Sequence, residues 1–256
     1  MRPLAVDLFC GLGGWTEGLL AEGYEVIGFD IEQHVYGEHR YPAQLVLQDV
    51  RTLHGRQFKD AALIVASPPC QAYSWRAMPW KAAKAAPPPD NSCFEACFRI
   101  QQQASEASDG GHIPMVVENV CGAQKWVGRA HWHYGSYYLW GDIPALMPMA
   151  LKGGVKVTGL NWSGSDKPGY VARAFNTTAA QRSCRAFPHE AADWGVKSPN
   201  VGALGWGGGR DIIGRTSSGS KARARASAMI AKIPLPLARH IAASWHPSRA
   251  QIAGGA

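Results

Sequence analysis

The stretch LAVDLFCGLGG, residues 4–14, decides the fold. Its first six residues form a short apolar run typical of a buried strand, and a glycine-rich turn follows immediately. The next residues, WTEGLLAEG (15–23), are typical of a helix that ends at Gly23. A strand, a glycine turn and a helix in direct succession predict the start of an α/β domain, in which the turn lets a ligand approach the backbone closely.

The same alternation continues along the chain. YEVIGFD (24–30) predicts a second strand, and EQHVYGEHRY (32–41) predicts a helix, weakened by its internal glycine. The remaining apolar segments predict strands at 44–50, 61–69, 114–120 and 137–142, with a helix at 93–107. This pattern predicts an α/β fold, namely a Rossmann-like, doubly wound, mostly parallel sheet with helices on both faces.

The amino-acid composition and the predicted secondary structure change near residue 151. Glycine and serine become frequent over 151–221, and no long helix is predicted there. Regular structure returns in segment 222–256, where apolar residues recur every four positions on one side of a helix that Pro234 or Pro236 can begin. We therefore predict a main domain over 1–150, a small irregular region over 151–221, and a last segment that completes the main domain.

Composition limits the class of protein. The 256 residues are 46% hydrophobic and 18% charged, which suits a packed core and argues against disorder. The net charge of +7 favours a polyanionic partner. Neither a membrane span nor a signal peptide is visible. None of the six cysteines forms a Cys-x-x-Cys pair, and HWH (131–133) has no spaced cysteine partner. We expect no metal, reduced thiols and a cytoplasmic monomer.

Acidic side chains end two of the predicted strands. Asp30 ends the second strand, where a carboxylate typically accepts hydrogen bonds from ribose hydroxyls, and Asp49 ends the third, well placed for an adenine amine. Either carboxylate could instead cap the helix that follows. The glycine turn is not a dinucleotide-binding Gly-x-Gly-x-x-Gly, and no Lys-Ser/Thr pair follows it to grip a phosphate. A nucleoside ligand without a phosphate clamp favours S-adenosylmethionine over NAD or ATP.

SPPCQAYS (67–74) holds a cysteine, Cys70, in a rigid frame of two prolines and a glutamine. A structural cysteine needs only an apolar hole. A nucleophile needs its sulfur held at a fixed position while the substrate atom is brought to it. The frame therefore favours a nucleophile, with a buried cysteine of no chemical role as the alternative.

Several segments together resemble the ordered motifs of the cytosine-C5 DNA methyltransferase family, in a compact bacterial or phage form. These segments are DLFCGLGGWTEGL, FDIE, QDV, SPPCQAYS and VVENV, and the later IPLPLARHIA is similar to the family's last motif. The resemblance covers 1–144 and 222–256. It implies a class I methyltransferase fold, S-adenosyl-L-methionine as cofactor and double-stranded DNA as partner. It also makes 1–150 the catalytic and cofactor-binding domain and 151–221 the target-recognition region.

The resemblance also implies roles for individual residues. Cys70 adds to C6 of cytosine, and Pro69 holds it rigidly, with Gln71 beside it. Glu118 forms hydrogen bonds with N3 and the exocyclic amine of the base. Asn119 orients the cysteine loop. The implied cofactor-binding residues are Asp7, Phe9, Gly11, Gly13, Asp30, Ile31, Asp49 and Val50.

Two departures from the family pattern stand out. The family's arginine, usually in Gln-x-Arg-x-Arg, is missing from YGSYYLWGDIP (134–144), so Arg129 is assigned to hold the base O2, with QRSCR (181–185) as the alternative. The family's Gly-Asn before the last motif reads Ala231-Lys232, which affects one cofactor contact.

A cytosine inside a duplex must be flipped out to reach Cys70. The segment 72–90 and the irregular region are expected to contact the DNA, through Ser74, Arg76, Lys81, Arg182 and Arg185. A cognate restriction endonuclease is a compatible partner but not a required one. Two other functions stay open, an RNA cytosine-C5 methyltransferase of the tRNA-modifying type and a relative that binds DNA without turnover.

Overall fold

The computed structural model describes residues 2–73, 87–147, 228 and 231–248 of the chain. The strands are β1 (Leu4–Leu8), β2 (Glu25–Asp30), β3 (Gln44–Leu47), β4 (Ala61–Ala66), β5 (Met115–Asn119), β6 (Trp132–Tyr134) and β7 (Tyr137–Gly141). The α-helices are α1 (Gly14–Ala21), α2 (Ser92–Ala107), α3 (Gln124–Val127) and α4 (Leu235–Ser244). Short 3₁₀ turns lie at Val50–Thr52, Gly55–Phe58, Gln71–Tyr73 and Cys121–Ala123.

The seven strands form one sheet in the order β3-β2-β1-β4-β5-β7-β6. Strands β1 to β5 pair in parallel, and β7 lies antiparallel between β5 and β6. The chain builds outward from β1 in one direction through β2 and β3, then in the other through β4 and β5, so the order reverses beside β1. This is the arrangement of the class I methyltransferase fold, and the predicted doubly wound, mostly parallel sheet is confirmed.

Each face of the sheet carries its own apolar core. On one face α2 packs through Phe94 and Ile100 against the even-numbered residues of β1 and β4. On the other face α1 and α4 pack against the odd-numbered residues of the same two strands, β1 and β4. Trp15 and Leu237 are among the side chains buried there. The two faces follow directly from the alternation of side chains along each strand.

Helix α4 packs against helix α1. Gly14 and Gly18 of α1 have no side chain, and a Cβ atom on Gly18 would overlap Ala238 of α4. The hydroxyl of Tyr24 donates to the carbonyl oxygen of Ala242 at 3.0 Å, and Lys232 forms an ion pair with Glu17. As predicted, a proline begins this helix, with Pro234 at its N-cap.

The structure differs from the sequence predictions at segment 32–41, at the short helix α3 and at β6. The helix predicted over 32–41 is wrong, because the chain there makes bends and one isolated bridge between Tyr36 and His39. Those two residues exchange backbone hydrogen bonds across a tight turn in which Gly37 takes a φ of 65°, a conformation that an α-helix does not contain. The short edge strand β6 was not predicted. The region 151–221 lies outside the described residues.

Candidate active site at the carboxyl edge of the sheet

Four neighbouring strands end together at one edge of the sheet. Leu8 of β1 is paired with Phe29 of β2 and with Ala66 of β4, and Ala66 is paired in turn with Val117 of β5. The residues that follow these positions therefore lie side by side at the carboxyl edge, next to the point where the strand order reverses. Open α/β sheets bind their ligands in the crevice at this place.

The glycine turn after β1 is held open by the end of β2. The backbone N–H of Gly11 donates to Asp30 Oδ2 at 2.9 Å, and that of Ile31 donates to Asp30 Oδ1 at 2.8 Å. Apart from the two chain neighbours of Gly11, no atom of the described residues lies within 4 Å of the place where its Cβ would stand. Phe9, just before the turn, has a φ of 57°, a strained backbone for a residue other than glycine. Strain of this kind is concentrated at ligand sites.

Ile31 extends the same surface. It is 70% exposed, which is unusual for a large apolar side chain placed directly after a buried strand end. Phe9 is half-buried beside the turn. The predicted cofactor residues Phe9, Gly11, Asp30 and Ile31 therefore gather at the ends of the neighbouring strands β1 and β2.

Two other predicted cofactor residues, Gly13 and Asp7, make contacts inside the protein. A Cβ on Gly13 would stand 2.6 Å from Cδ of Pro42, and Gly13 has a φ of 77°, so packing and backbone conformation alone account for this glycine. Asp7 is 1% exposed and accepts a hydrogen bond from the Thr16 hydroxyl at 2.6 Å. Asp7 can therefore influence a ligand only indirectly, through the glycine turn that follows β1.

Asp49 and Val50 lie beyond the end of β3, which stops at Leu47. Asp49 caps the 3₁₀ turn that follows, and the Arg51 guanidinium pairs with its carboxylate at 2.7 Å. Hydrogen bonds from the Arg51 side chain hold the pKa of Asp49 below its usual range. Val50 is completely buried in the core. The capping alternative is therefore realised for Asp49, and its contact with adenine stays a prediction.

The loop after β4, residues 67–73 and here called the Cys70 loop, carries the predicted nucleophile. Pro68 is buried and its carbonyl oxygen accepts a hydrogen bond from Asn119 Nδ2 at 3.0 Å. Cys70 is half-buried, and its carbonyl oxygen accepts from the backbone N–H of Tyr73 at 3.0 Å. Pro69 and Gln71 are exposed. Pro68 is thus held by the rest of the protein, and the rigid support of Cys70 by Pro69 stays a prediction.

Glu118 and Asn119 end β5 and point to opposite faces of the sheet. Glu118 is 8% exposed, and its cross-strand partner on β7 is Leu139. Burial, and then the charge of Glu118, raise the pKa of the Tyr137 hydroxyl. Asn119 is 1% exposed and holds Pro68. A buried carboxyl thus stands one residue from the group that anchors the cysteine.

Arg129 is exposed on the segment between α3 and β6. It lines an open cavity of about 480 Å³ together with Gln124, Ala130, His131, Trp132, His133 and Tyr138. Tyr138 is the cross-strand partner of Asn119, so this cavity adjoins the strand end that bears Glu118. The predicted DNA contacts Ser74, Arg76, Lys81, Arg182 and Arg185 lie outside the described residues.

Sequence reasoning missed four residues that hold the Cys70 loop, namely Trp15, Tyr73, Asn91 and Gly122. The indole N–H of Trp15 donates to Ser67 Oγ at 3.0 Å, and the hydroxyl of Tyr73 donates to Asn91 Oδ1 at 2.9 Å. A Cβ on Gly122 would overlap the carbonyl oxygen of Tyr73. Trp15 and Tyr73 lie inside the quoted motifs DLFCGLGGWTEGL and SPPCQAYS, whereas Asn91 and Gly122 lie in no motif.

Metal-ion clusters and membrane-spanning helices are both absent from the described residues. No cluster of three or more His, Cys, Asp or Glu residues suited to a metal ion occurs in the described part of the chain. Within that same part, no helix combines the length and the apolar character that crossing a membrane requires.

Residues 4–78 match the family described as C-5 cytosine-specific DNA methylase. That segment contains the glycine turn, Asp30, Asp49 and the Cys70 loop. No curated protein matches the chain in sequence.

Three solved structures are similar to about half of this chain. The Dnmt2 methyltransferase of S. pombe is 17% identical over 50% of this chain, with a TM-score of 0.33. A protein named as a DNA modification methyltransferase, encoded within an E. coli prophage, is 24% identical over 50%, with a TM-score of 0.34. The Entamoeba histolytica methyltransferase EhMeth is 15% identical over 50%, with a TM-score of 0.36. The chain spans only 37%, 35% and 41% of the lengths of these proteins.

Proposed function

We propose that this chain, whose residues 4–78 match the C-5 cytosine-specific DNA methylase family, methylates C5 of a flipped-out cytosine in double-stranded DNA. The methyl donor is S-adenosyl-L-methionine, and the reaction passes through a covalent bond between Cys70 and C6 of the base. The target lies in a specific sequence, which the irregular region 151–221 would read.

One observation carries this proposal. The side-chain amide of Asn119 donates to the Pro68 carbonyl oxygen at 3.0 Å, which ties the Cys70 loop to the strand end that bears Glu118. A thiol and a buried carboxyl are thereby held by adjacent strands at one edge of the sheet. Attack on a pyrimidine ring needs both groups at once, a sulfur nucleophile at C6 and an acid at N3.

The cofactor residues fit a nucleoside-bearing methyl donor. The free space in front of Gly11 lets a ligand reach the backbone, and Phe9 and Ile31 offer apolar side chains on either side of the turn. Asp30 would accept hydrogen bonds from ribose hydroxyls while it continues to hold the turn. When bound, S-adenosyl-L-methionine supplies an electrophilic methyl group.

The residues of the chain perform the rest of the chemistry. The Cys70 thiolate donates an electron pair to C6 while the Glu118 carboxyl gives a proton to N3, so that the ring becomes an enamine with a nucleophilic C5. After C5 has gained its methyl group, the C5 hydrogen leaves as a proton. The C6–S bond then breaks, its electron pair returns to sulfur, the C5–C6 double bond re-forms and the N3 proton returns to the Glu118 carboxylate.

Arg129 is assigned to the base O2 from the cavity that adjoins β5. A guanidinium always carries charge and would offset negative charge that develops on the ring. The net charge of +7 suits contact with the phosphates of duplex DNA, which the residues predicted for that role would make.

The test is transfer of a labelled methyl group from S-adenosyl-L-methionine to unmethylated duplex DNA of mixed sequence and, separately, to RNA. We expect label on DNA cytosine, and Cys70→Ala should reduce it by at least about a thousandfold because no other group can form the C6 bond. Cys93→Ser is the matched control, since Cys93 is also half-buried but lies on α2. Label on RNA alone would favour the tRNA-modifying function, and DNA binding without any transfer would favour the non-catalytic relative.

A further inference from the structure

We propose that Tyr73 and Gly122 are positioning residues that fix the Cys70 loop against the strand end bearing Glu118. This inference rests on the proposed function, because it concerns the separation of the Cys70 sulfur from the Glu118 carboxyl.

Tyr73 is the inner anchor of the loop. It is 3% exposed, and its ring belongs to the core that contains α2. Its backbone N–H donates to the Cys70 carbonyl oxygen at 3.0 Å, and its hydroxyl donates to Asn91 Oδ1 at 2.9 Å. The ring and hydroxyl of Tyr73 therefore hold in place the one turn of 3₁₀ helix that starts next to Cys70.

Gly122 allows the turn after β5 to reach the Tyr73 backbone. It lies in the 3₁₀ turn Cys121–Ala123, and any Cβ atom at this position would overlap the Tyr73 carbonyl oxygen and crowd its carbonyl carbon. The neighbouring Ala123 is completely buried, so the turn cannot move outward without opening the core. Gly122 is therefore required by close packing, since its φ is not among the positive values found elsewhere in the described chain.

The same short stretch, residues 119–122, thus contacts the Cys70 loop on both sides of Cys70. Asn119 holds the Pro68 carbonyl oxygen, two residues before Cys70. Gly122 packs against the Tyr73 carbonyl oxygen, three residues after it. Because this stretch continues directly from Glu118, the nucleophile and the acid share one rigid support. A displacement of about 1 Å at such a site lowers the rate about a hundredfold.

Gly122→Ala tests this positioning role in the full chain. The added methyl group should push the Tyr73 backbone away and lower kcat for methyl transfer to DNA about a hundredfold. The KM values for DNA and for the cofactor should stay within about threefold, because neither binding surface contains Gly122. Gly110→Ala is the matched control, since a Cβ there meets only Ser108 Oγ at 3.7 Å and should change nothing.

A second pair of variants isolates the hydrogen bond of Tyr73. Tyr73→Phe and Asn91→Ala should each lower kcat roughly three- to tenfold. The double variant should lose clearly less than the product of the two, because both remove the bond between the Tyr73 hydroxyl and Asn91 Oδ1, although Asn91→Ala also removes the 3.5 Å bond from Asn91 Nδ2 to the Trp126 carbonyl oxygen. If Gly122→Ala proves unstable, this double-mutant cycle decides the proposal.

The outcomes separate the two proposals. Wild-type protein that transfers no methyl group to DNA would overturn the proposed function, and this inference with it. Wild-type transfer together with a kcat for Gly122→Ala equal to that of Gly110→Ala would overturn the positioning role alone. Fully additive losses in the Tyr73 and Asn91 cycle would also count against it.

Discussion

Asp7 is a carboxyl group buried beneath the glycine turn. The Thr16 hydroxyl donates to its Oδ2 at 2.6 Å, and the Thr16 oxygen lies 2.7 Å from the Tyr41 hydroxyl. Burial is the main cause that raises the pKa of Asp7 to about 8, and the nearby charge of Asp30 adds to it, while the Thr16 hydrogen bond opposes the shift. Asp7 is therefore mostly protonated at neutral pH and links β1 to α1 as a neutral group.

This raised pKa predicts a pH-dependent stability. The folded state binds the Asp7 proton more tightly than the unfolded chain does, so the stabilisation is complete below about pH 4 and is lost as the pH rises towards 8. At about 1.4 kcal/mol per pKa unit, the decline in the free energy of unfolding should reach a few kcal/mol. Asp7→Asn, which is neutral at every pH, should flatten this part of the profile.

Urea unfolding at pH 5 and pH 8 measures the difference. Asp109→Asn is the control, because Asp109 is exposed. An equal pH dependence in wild type and Asp7→Asn would contradict the account of Asp7.

At the scale of secondary-structure elements, the packing of α1 on α4 joins the two ends of the described chain. Gly14 and Gly18 lie one helical turn apart, and a Cβ on either would overlap the backbone of the carboxy-terminal segment. The carbonyl oxygen of Lys232 accepts from the Tyr137 hydroxyl at 3.2 Å, which ties the same segment to β7. The position where the family has its Gly-Asn is thus occupied here by a lysine paired with Glu17.

Gly18→Val should weaken this contact. The larger side chain cannot be accommodated against Ala238, so we expect a loss of roughly 1–3 kcal/mol in the free energy of unfolding. Leu20→Val on the same helix is the control, because Leu20 is 38% exposed and a change there should cost no more than its helix propensity. A Gly18→Val protein as stable as the control would show that α4 does not depend on this close approach.

The elements that could be predicted from sequence are those with long regular patterns. Strand β4 is apolar at every position, β1 and β5 are mostly apolar, and helix α2 is apolar on one face, so each pattern can be recognised in the sequence alone. The segment 32–41 has helix-forming residues, yet the turn at Gly37 and the burial of Tyr41 beside Thr16 decide its path. Strand β6 has three residues, too few for any period, and forms only because β7 lies beside it.

At the scale of the whole molecule, the sheet brings together residues that are far apart in the chain. Asp30 and Glu118 lie at the ends of β2 and β5, Cys70 follows β4, and only the order of those strands places the three residues at one edge. The motifs predicted these residues, but the sequence could not predict what supports them. Gly13 against Pro42 and Gly122 against Tyr73 are contacts between segments that no local pattern connects.

The central claim is that Cys70 forms a covalent bond with a cytosine in DNA. The most direct measurement uses duplex DNA in which 5-fluorocytosine replaces cytosine, incubated with the protein and S-adenosyl-L-methionine. Fluorine cannot leave C5 as a cation, so the C6–S bond cannot break once C5 is methylated. The account predicts a protein–DNA species that survives denaturation, depends on the cofactor and maps by mass spectrometry to Cys70. Methylation of ordinary DNA without such a species, or a bond to another cysteine such as the exposed Cys121, would contradict it.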